Sequence, residues 1–185
     1  NGYINNSGNE AILINDGASD NNTFSNITLT GTNSSYHDFR IKSSGADDTL
    51  LQDMLISNYS FSDNTFTFKN SLFGEVRFLQ SIVGNGTNLT KDIRITNNSA
   101  EVRSDLSIWL NKSANITLYG IGNRGFSIPG ILRNGASCGG LCYNFTSLTA
   151  SNVVFNVSSW TNYSIGETSF INDTNKLYIQ NSSGS

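Results

Sequence analysis

The sequence predicts an all-β protein: a parallel β-helix of about four to five rungs, followed by a smaller β domain. Pairs of large apolar residues, each separated by one residue, recur every 27 residues along the chain. This alternation is the signature of strands with one face in a core, and a fixed period of this length indicates stacked rungs. The pairs are Ile12 and Ile14, Phe39 and Ile41, Phe66 and Phe68, and Ile93 and Ile95.

A second series of strands repeats at the same spacing. Ile27 and Leu29 precede Met54 and Ile56 by 27 residues, and Phe24, Leu51 and Phe78 follow the same interval. Corners rich in Gly, Asn, Asp and Ser separate the strands, and three short strands with their corners fit one turn of a parallel β-helix. We assign residues 1–120 to these repeats, with a drifting last rung near Ile116 and Leu118. An antiparallel sandwich is the competing interpretation, but a sandwich does not require a constant period.

Residues 121–185 are expected to form a C-terminal β cap or β-sandwich-like domain that contains a disulfide loop. Glycines and Pro129, the single proline, interrupt the repeat here. Alternating segments then return at Val153–Val157 and at Lys176–Ile179. No segment shows a period of 3.6 residues with helix caps, so little helix is predicted.

The composition excludes several functional classes. Only 14% of residues are charged, so the polar surface consists mainly of Asn, Ser and Thr, which is typical of extracellular proteins. The net charge is −3 and the 11 Lys and Arg residues are scattered along the sequence, which argues against a nucleic-acid partner. No apolar run is long enough for a transmembrane segment. The chain begins at Asn1 without a signal sequence, and we interpret it as a processed chain or an excised piece.

The two cysteines, Cys138 and Cys142, are predicted to form a disulfide. Gly139 and Gly140 lie between them and give the backbone the freedom to close a short loop. A metal site or a redox pair is the alternative, but a metal site needs further Cys or His ligands and the single His37 is distant in sequence. The loop therefore favours an oxidising compartment.

Asn-Ile-Thr-Leu at residues 26–29 and Asp-Ile-Arg-Ile at residues 92–95 carry a family resemblance. These strands resemble the right-handed parallel β-helix repeats of secreted, archaeal-type cell-surface proteins. The segment 138–164, with Phe155-Asn156-Val157-Ser158, is similar to the β domain that follows such repeats. The resemblance implies a right-handed coil, a cell-surface location and no particular partner.

N-glycosylation is the strongest functional signal. With 27 Asn and 43 Ser plus Thr in 185 residues, chance gives roughly six Asn-x-Ser/Thr sequons, and the chain has fifteen. Some Asn residues are expected to serve only as corner residues, but an apolar middle residue, as in Asn26-Ile27-Thr28, points inward and leaves Asn and hydroxyl on the solvent face. The predicted sites are Asn5, Asn21, Asn26, Asn33, Asn58, Asn85, Asn88, Asn97, Asn111, Asn115, Asn144, Asn156, Asn162, Asn172 and Asn181.

Catalytic and metal sites are weakly supported, and we expect a non-enzymatic protein with no cofactor. Arg40 with the Asp47-Asp48 pair resembles the acidic pairs of β-helix polysaccharide hydrolases, but the order differs and the Gly-His-Gly element is missing. Arg40 is better explained as part of an outward-facing ladder. Oxygen ligands for Ca²⁺ could come from corner aspartates, but no calcium-binding repeat is present. Those aspartates are Asp16, Asp20, Asp47, Asp48 and Asp53.

Three roles remain for an extracellular protein of this kind. The first is a heavily N-glycosylated structural subunit of a cell-surface filament, sheath or surface layer, polymerised head to tail with copies of itself. The apolar segments Phe170-Ile171 and Leu177-Tyr178-Ile179 would then pair with the open first rung of a neighbour, or fold back onto their own domain. An adhesin or glycan-binding module is the second role, and a polysaccharide lyase or hydrolase the third.

Overall fold

The computed structural model describes residues 2–5, 8–17, 19–33 and 35–168, and it is an all-β protein. One helical turn, α1 (Leu89–Asp92), and three 3₁₀ turns (Ile108–Leu110, Gly122–Arg124 and Gly139–Leu141) join the strands. The strands are β1 (Gly2–Asn5), β2 (Ile12–Ile14), β3 (Thr23–Ser25), β4 (Ile27–Thr30), β5 (Phe39–Ile41), β6 (Thr49–Gln52), β7 (Leu55–Ile56), β8 (Tyr59–Asn64), β9 (Phe66–Asn70), β10 (Gly74–Phe78), β11 (Ile82–Gly86), β12 (Ile93–Thr96), β13 (Ser99–Val102), β14 (Ala114–Leu118), β15 (Pro129–Arg133), β16 (Ala136–Ser137), β17 (Cys142–Asn144), β18 (Val153–Val157) and β19 (Asn162–Glu167).

Residues 2–70, here called the parallel region, pair in three parallel columns. The columns are β1-β4-β7, β2-β5-β8 and β3-β6-β9, so each successive group of three strands lies beside the preceding group. The chain visits the columns in the same order each time. This pairing is what three strands per rung predict.

The 27-residue register holds for β2-β5, β3-β6 and β4-β7, where Leu29 is paired with Ile56 as predicted, and it then fails for β5-β8 and β6-β9. Ile12 is paired with Phe39, and Phe24 with Leu51, as the repeat predicts. The next rung is shorter, because a long corner (residues 31–38) joins β4 to β5 but only residues 57–58 join β7 to β8. Tyr59 therefore pairs with Phe39 in the position that the repeat gave to Phe66.

Several sequence predictions about the later rungs are consequently wrong. Phe66 and Phe68 continue the column of Thr49 and Leu51, not that of Phe39 and Ile41. Ile93 lies opposite Val102 in an antiparallel hairpin. Parallel pairing ends at β9, so the described residues hold about three rungs instead of four to five. The periodic apolar pairs persist because an antiparallel strand with one buried face has the same alternation as a parallel one.

Residues 74–167, here called the antiparallel region, extend two of the three columns. β10, β14, β18 and β17 add to β9 in turn, giving a seven-stranded sheet, and β11 adds to β8. A five-stranded sheet of order β12-β13-β19-β15-β16 completes the region. Strands on both sides of residue 121 pair directly, as β18 does with β14; the domain division predicted at that residue stays a prediction.

A single aromatic-rich core joins the two regions. Phe61 stacks on Phe66 with ring centroids 4.5 Å apart, and Phe66 contacts Phe78 at 4.9 Å. Phe78 in turn contacts Trp160 in the antiparallel region. These rings are almost fully buried, so the seam between parallel and antiparallel pairing lies within the buried core.

Candidate functional site

The described sequon asparagines all lie at the surface. Thirteen of the fifteen predicted sites fall on described residues, because Asn172 and Asn181 lie outside them, and none of these thirteen side chains is buried. The sites classed as exposed are Asn5, Asn21, Asn26, Asn33, Asn85, Asn97, Asn111 and Asn144, and those that are half-buried are Asn58, Asn88, Asn115, Asn156 and Asn162. Their glycosylation remains a prediction, and the fold leaves the amides at the surface, where a glycan requires them.

The hydrogen bonds divide these asparagines into two groups. A glycan is attached through the side-chain nitrogen, and in some sites that nitrogen is already a donor. Nδ2 of Asn58 donates to the Tyr36 carbonyl at 2.6 Å, and Nδ2 of Asn162 donates to Ser99 Oγ at 2.8 Å. Asn88 and Asn111 instead use their side-chain oxygens, accepting from the backbone N–H of Lys91 and Trp160.

Some sequon hydroxyls are also engaged by the fold. Thr90, the hydroxyl residue of the Asn88 sequon, accepts from Ile56 N at 2.8 Å and donates to Ile56 O at 3.3 Å. These bonds satisfy the free edge of β7. This strand ends the column β1-β4-β7, which no described antiparallel strand extends. The sequence predicted Thr90 as a modification signal, and the structure gives it a second role as an edge cap.

The disulfide predicted from sequence is present. Cys138 and Cys142 are bonded, with Cα atoms 5.9 Å apart, around the 3₁₀ turn Gly139–Leu141. Cys138 is buried, but the neighbouring Leu141 and Tyr143 are exposed. The bond therefore fixes an exposed loop beside β17, the outer strand of the seven-stranded sheet.

The structure does not assemble the polysaccharide-hydrolase candidates into one site. Arg40 forms an ion pair with Glu10 at 2.9 Å, while Asp48 pairs with Arg77 at 3.2 Å. Asp47 Oδ1 accepts from Thr65 N at 2.7 Å and so holds a corner of the next rung. His37 lies beside Arg40, and burial, followed by the Arg40 charge, lowers the pKa of His37.

Two further calcium candidates also accept backbone N–H groups. Asp20 Oδ1 accepts from Asp47 N at 2.9 Å, and Asp53 Oδ1 accepts from Ser71 N at 2.8 Å. The described residues contain no group of three or more His, Cys, Asp or Glu side chains that could hold a metal ion. Asp20, Asp47 and Asp53 thus accept backbone N–H groups from the adjoining rung. Short acidic side chains suit this role in tight turns.

A buried polar network lies under the seam and was not predicted from the sequence. Asp92 Oδ2 accepts from Tyr59 Oη and from Ser107 Oγ, both at 2.8 Å, and Trp109 Nε1 donates to Tyr59 Oη at 3.3 Å. Burial raises the pKa of Tyr59 to about 12. A Cβ on Gly84 would lie 2.2 Å from the Trp109 ring, so only glycine admits that ring there. The network links β8, α1 and the Ile108–Leu110 turn.

Four basic side chains line a groove made of two adjoining sections, and Lys69 is distant in sequence from the other three. One section of about 380 Å³ runs between β7, β9 and β12, and an adjoining section of about 440 Å³ runs between α1, β12 and β13. Both sections share Thr90 and Arg94. The two sections together are here called the basic groove. Its basic residues are Lys69, Lys91, Arg94 and Arg103.

The basic groove carries a local excess of positive charge. Asp53 and Glu101 are its acidic lining residues; Asp53 accepts from Ser71 N, and Glu101 lies 3.9 Å from Arg94. Four cations and two carboxylates leave a local charge of +2 in a chain whose net charge is −3. The basic residues are scattered along the sequence, and folding brings Lys69 together with Lys91, Arg94 and Arg103 in this groove.

The opposite end of the parallel region has three unpaired strand edges. β1, β2 and β3 each lie at the edge of their sheet, and no described strand pairs with their outer sides. Two apolar side chains there are exposed, Tyr3 at 64% and Leu13 at 45%. The apolar segments near residues 170 and 178 that were predicted to pair with such an end lie outside the described residues.

Comparisons with models of known protein families, with curated proteins and with solved structures find no match to this chain. Among the described residues, no helix is long and apolar enough to cross a membrane.

Proposed function

We propose that this chain is a secreted, N-glycosylated structural protein of the cell surface, the subunit of a filament, sheath or surface layer. It acts without enzymatic chemistry in this proposal. The observation that carries it is the set of three parallel strand edges, β1, β2 and β3, that no described strand covers. Open edges of this kind pair readily with further strands, either from preceding residues of the same protein or from another chain, and pairing with another chain would produce assembly.

The parallel region in this proposal consists of turns of a right-handed β-helix. Three columns of short parallel strands with polar corners support the coil, and crossovers between parallel strands of one sheet are almost always right-handed. A stack of rungs offers every strand of its end rung to a neighbour at once. The archaeal-type surface resemblance is consistent with this arrangement and stays an expectation.

Assembly would place the C-terminal segment of one subunit on the open end of the next. Residues 169–185 contain Phe170-Ile171 and Leu177-Tyr178-Ile179, apolar residues suited to an added strand. Because the two contact surfaces differ, the contact is heterologous and does not close on itself, and it therefore generates a fibre. Folding back of this segment onto its own subunit is the alternative outcome.

Deletion of residues 169–185 tests the assembly. The deletion leaves Thr168 in place, whose N–H donates to the Ile128 carbonyl at 2.9 Å, so that β19 keeps its last contact. Electron microscopy of the full chain should show ordered polymers, and the truncated chain should remain a folded monomer by circular dichroism and sedimentation. Polymers that persist without the segment would contradict the proposed contact.

Glycosylation is tested independently by mass. The intact mass of the 185-residue chain, secreted from a host that carries out N-glycosylation, should exceed 20.1 kDa and fall to near that value after deglycosylation. Peptide mapping should find the exposed sites, such as Asn85 and Asn97, more fully occupied than Asn58 and Asn162, whose Nδ2 atoms donate to other groups. Uniform occupancy would indicate attachment before folding, and a mass of 20.1 kDa in the untreated protein would end the glycoprotein proposal.

A glycan-binding module is the second candidate function. The basic groove is the observation that favours it, because an open, polar and charged groove suits an extended ligand. This role is compatible with assembly, since the groove and the open strand edges are formed by different strands.

A further inference from the structure

We propose that the basic groove binds an acidic polysaccharide, a sugar polymer that carries carboxylate or sulfate groups. The groove lies along β7, α1, β9 and β12, and its volume is within the range of about 300–1,000 Å³ that is usual for ligand sites. It is open along its length, as a polymer requires. This inference does not rest on assembly or on glycosylation of the chain itself.

The charges of the groove select an anion. Arg94 and Lys91 are exposed, with 59% of the Arg94 side chain accessible, so both can reach a ligand. Arg94 has only the loose 3.9 Å contact with Glu101, and no salt bridge is formed by Lys69, Lys91 or Arg103 within the described part of the chain. Guanidinium and ammonium groups without close carboxylate partners bind carboxylate and sulfate oxygens through charge-assisted hydrogen bonds.

The rest of the lining favours sugar over nucleic acid. Thr96 and Asn70 supply a hydroxyl and an amide group that can bond to sugar hydroxyls, and the exposed Leu55 offers an apolar contact. Single-stranded nucleic acid is bound mainly by stacking its bases on aromatic rings. The aromatic side chain of the lining, Phe68, is only 6% exposed and does not offer such a face.

The positions of the basic residues are fixed by the backbone, which makes the site preorganised. Arg94 lies opposite Glu101 in the β12-β13 ladder, and Lys69 is held in the β6-β9 ladder. Thr90 anchors α1 to the edge of β7 through both bonds to Ile56, which fixes the helical turn that carries Lys91. A ligand therefore meets four cations whose backbone positions are set before it arrives.

Binding of defined polymers tests the proposal. Unglycosylated protein is titrated by calorimetry with dextran sulfate, polygalacturonate, neutral dextran and a single-stranded oligonucleotide. The two acidic polysaccharides should bind with an affinity that falls as salt rises, because exposed charges are screened. Neutral dextran should not bind. Failure of both acidic polysaccharides to bind, or tighter binding of the oligonucleotide, would overturn the proposal.

Matched variants locate the site. The double substitution Lys91→Ala with Arg94→Ala should weaken dextran sulfate binding about tenfold or more, because charged hydrogen bonds are lost. The control, Lys42→Ala with Lys112→Ala, removes the same charge outside the groove and should leave the affinity within about twofold. Equal weakening by the two pairs would contradict a localised site. Circular dichroism and the urea midpoint of each variant verify that folding is retained.

The source of the sugar is resolved with glycosylated protein. If dextran sulfate dissociates self-associated glycoprotein, and the Lys91→Ala, Arg94→Ala variant self-associates less, the groove binds acidic sugars on a neighbouring copy. If added polymer binds and self-association is unaffected, the ligand is a free polysaccharide. Both results support the acidic-sugar site, and they assign it to different partners.

Discussion

The parallel and antiparallel regions both cover a buried core, but their strands pair in different ways. In the parallel region, consecutive strands lie in different columns, so each strand pairs with one from a neighbouring rung that is distant in sequence. In the antiparallel region, hairpins such as β9-β10 and β12-β13 pair strands that are adjacent in sequence. Local hairpins form with little loss of loop entropy, whereas a rung gains little until its neighbour is in place.

The comparison also explains the gradient in burial along the molecule. β1 is exposed at all four positions, whereas β14 alternates between buried and half-buried residues. A first rung has a neighbour on one side only, while inner strands are covered on both sides. The outer strands β16 and β17 of the antiparallel region are also largely exposed, so the difference reflects edge position, and four substitutions compare the two regions at other positions.

The largest effect is expected at the seam between the regions. Phe66→Asp should lower the free energy of unfolding by several kcal/mol, because a charge would replace a ring that is 1% exposed and stacked on Phe61. Urea denaturation measures the change. Leu72→Asp, at a side chain 75% exposed in the neighbouring turn, is the control and should cost less than about 0.5 kcal/mol. A similarly small cost at Phe66 would remove it from the shared core.

A smaller loss of stability is expected in the buried network that joins Tyr59 to Asp92. Asp92→Ala should cost about 1–3 kcal/mol, because it leaves the Tyr59 and Ser107 hydroxyls without their acceptor. Adding Tyr59→Phe should cost less than the sum of the single changes if the two groups are coupled. Asp105→Ala, at an exposed residue, is the control. Additive costs would show that the groups act independently.

The same network predicts a dependence on pH. Burial raises the pKa of Tyr59 from 10.0 to about 12, so the neutral phenol is favoured in the folded protein. The stability it contributes is fully present below pH 10 and is lost as the pH rises from 10 through about 12. Denaturation at alkaline pH should show that loss, and Tyr59→Phe should reduce it.

The next largest loss of stability is expected at the corner aspartates of the parallel region. Asp47→Ala should cost about 1–2 kcal/mol, because the N–H and the hydroxyl of Thr65 lose their acceptor. Asp47→Asn keeps a side-chain oxygen and should retain most of the stability. Asp48→Asn is the control, since it removes only an exposed ion pair and suits the positive φ of 54° there. An equal loss of stability on substitution of Asp47 and of Asp48 would show that the contact of Asp47 with Thr65 has no special role.

The smallest effect is expected at the outer face of the first rungs. Arg40→Gln should cost less than about 1 kcal/mol, because its ion pair with Glu10 is partly exposed to solvent. Hydrogen bonding to its own backbone and then to Arg40 lowers the pKa of Glu10 below 4.5. The stability that Glu10 contributes is therefore present above pH 4.5 and is lost as the pH falls below that value. The stabilities of the unsubstituted protein and of Arg40→Gln should converge in this acid range when unfolding is measured as a function of pH.

The sequence by itself determined the all-β class, the disulfide and the first repeat. Alternation at Ile12 and Ile14 required a strand with one buried face, and the glycines between Cys138 and Cys142 allowed the short loop to close. The spacing from Ile12 to Phe39 was the true register, because the turn between them keeps two long corners, residues 15–22 and 31–38.

Only the tertiary structure decided where the repeat ends and which polar groups meet. Phe66 keeps the spacing of the repeat but lies in another column, since period-2 patterning fixes the face of a strand and not its partner. The hydrogen bond of Tyr59 with Asp92, and the placement of Lys69 and Arg94 in the same groove, depend on the shortened rung and on the antiparallel hairpin that follows. Such contacts join residues distant in sequence, and local pattern carries no record of them because they arise from how the sheets pack.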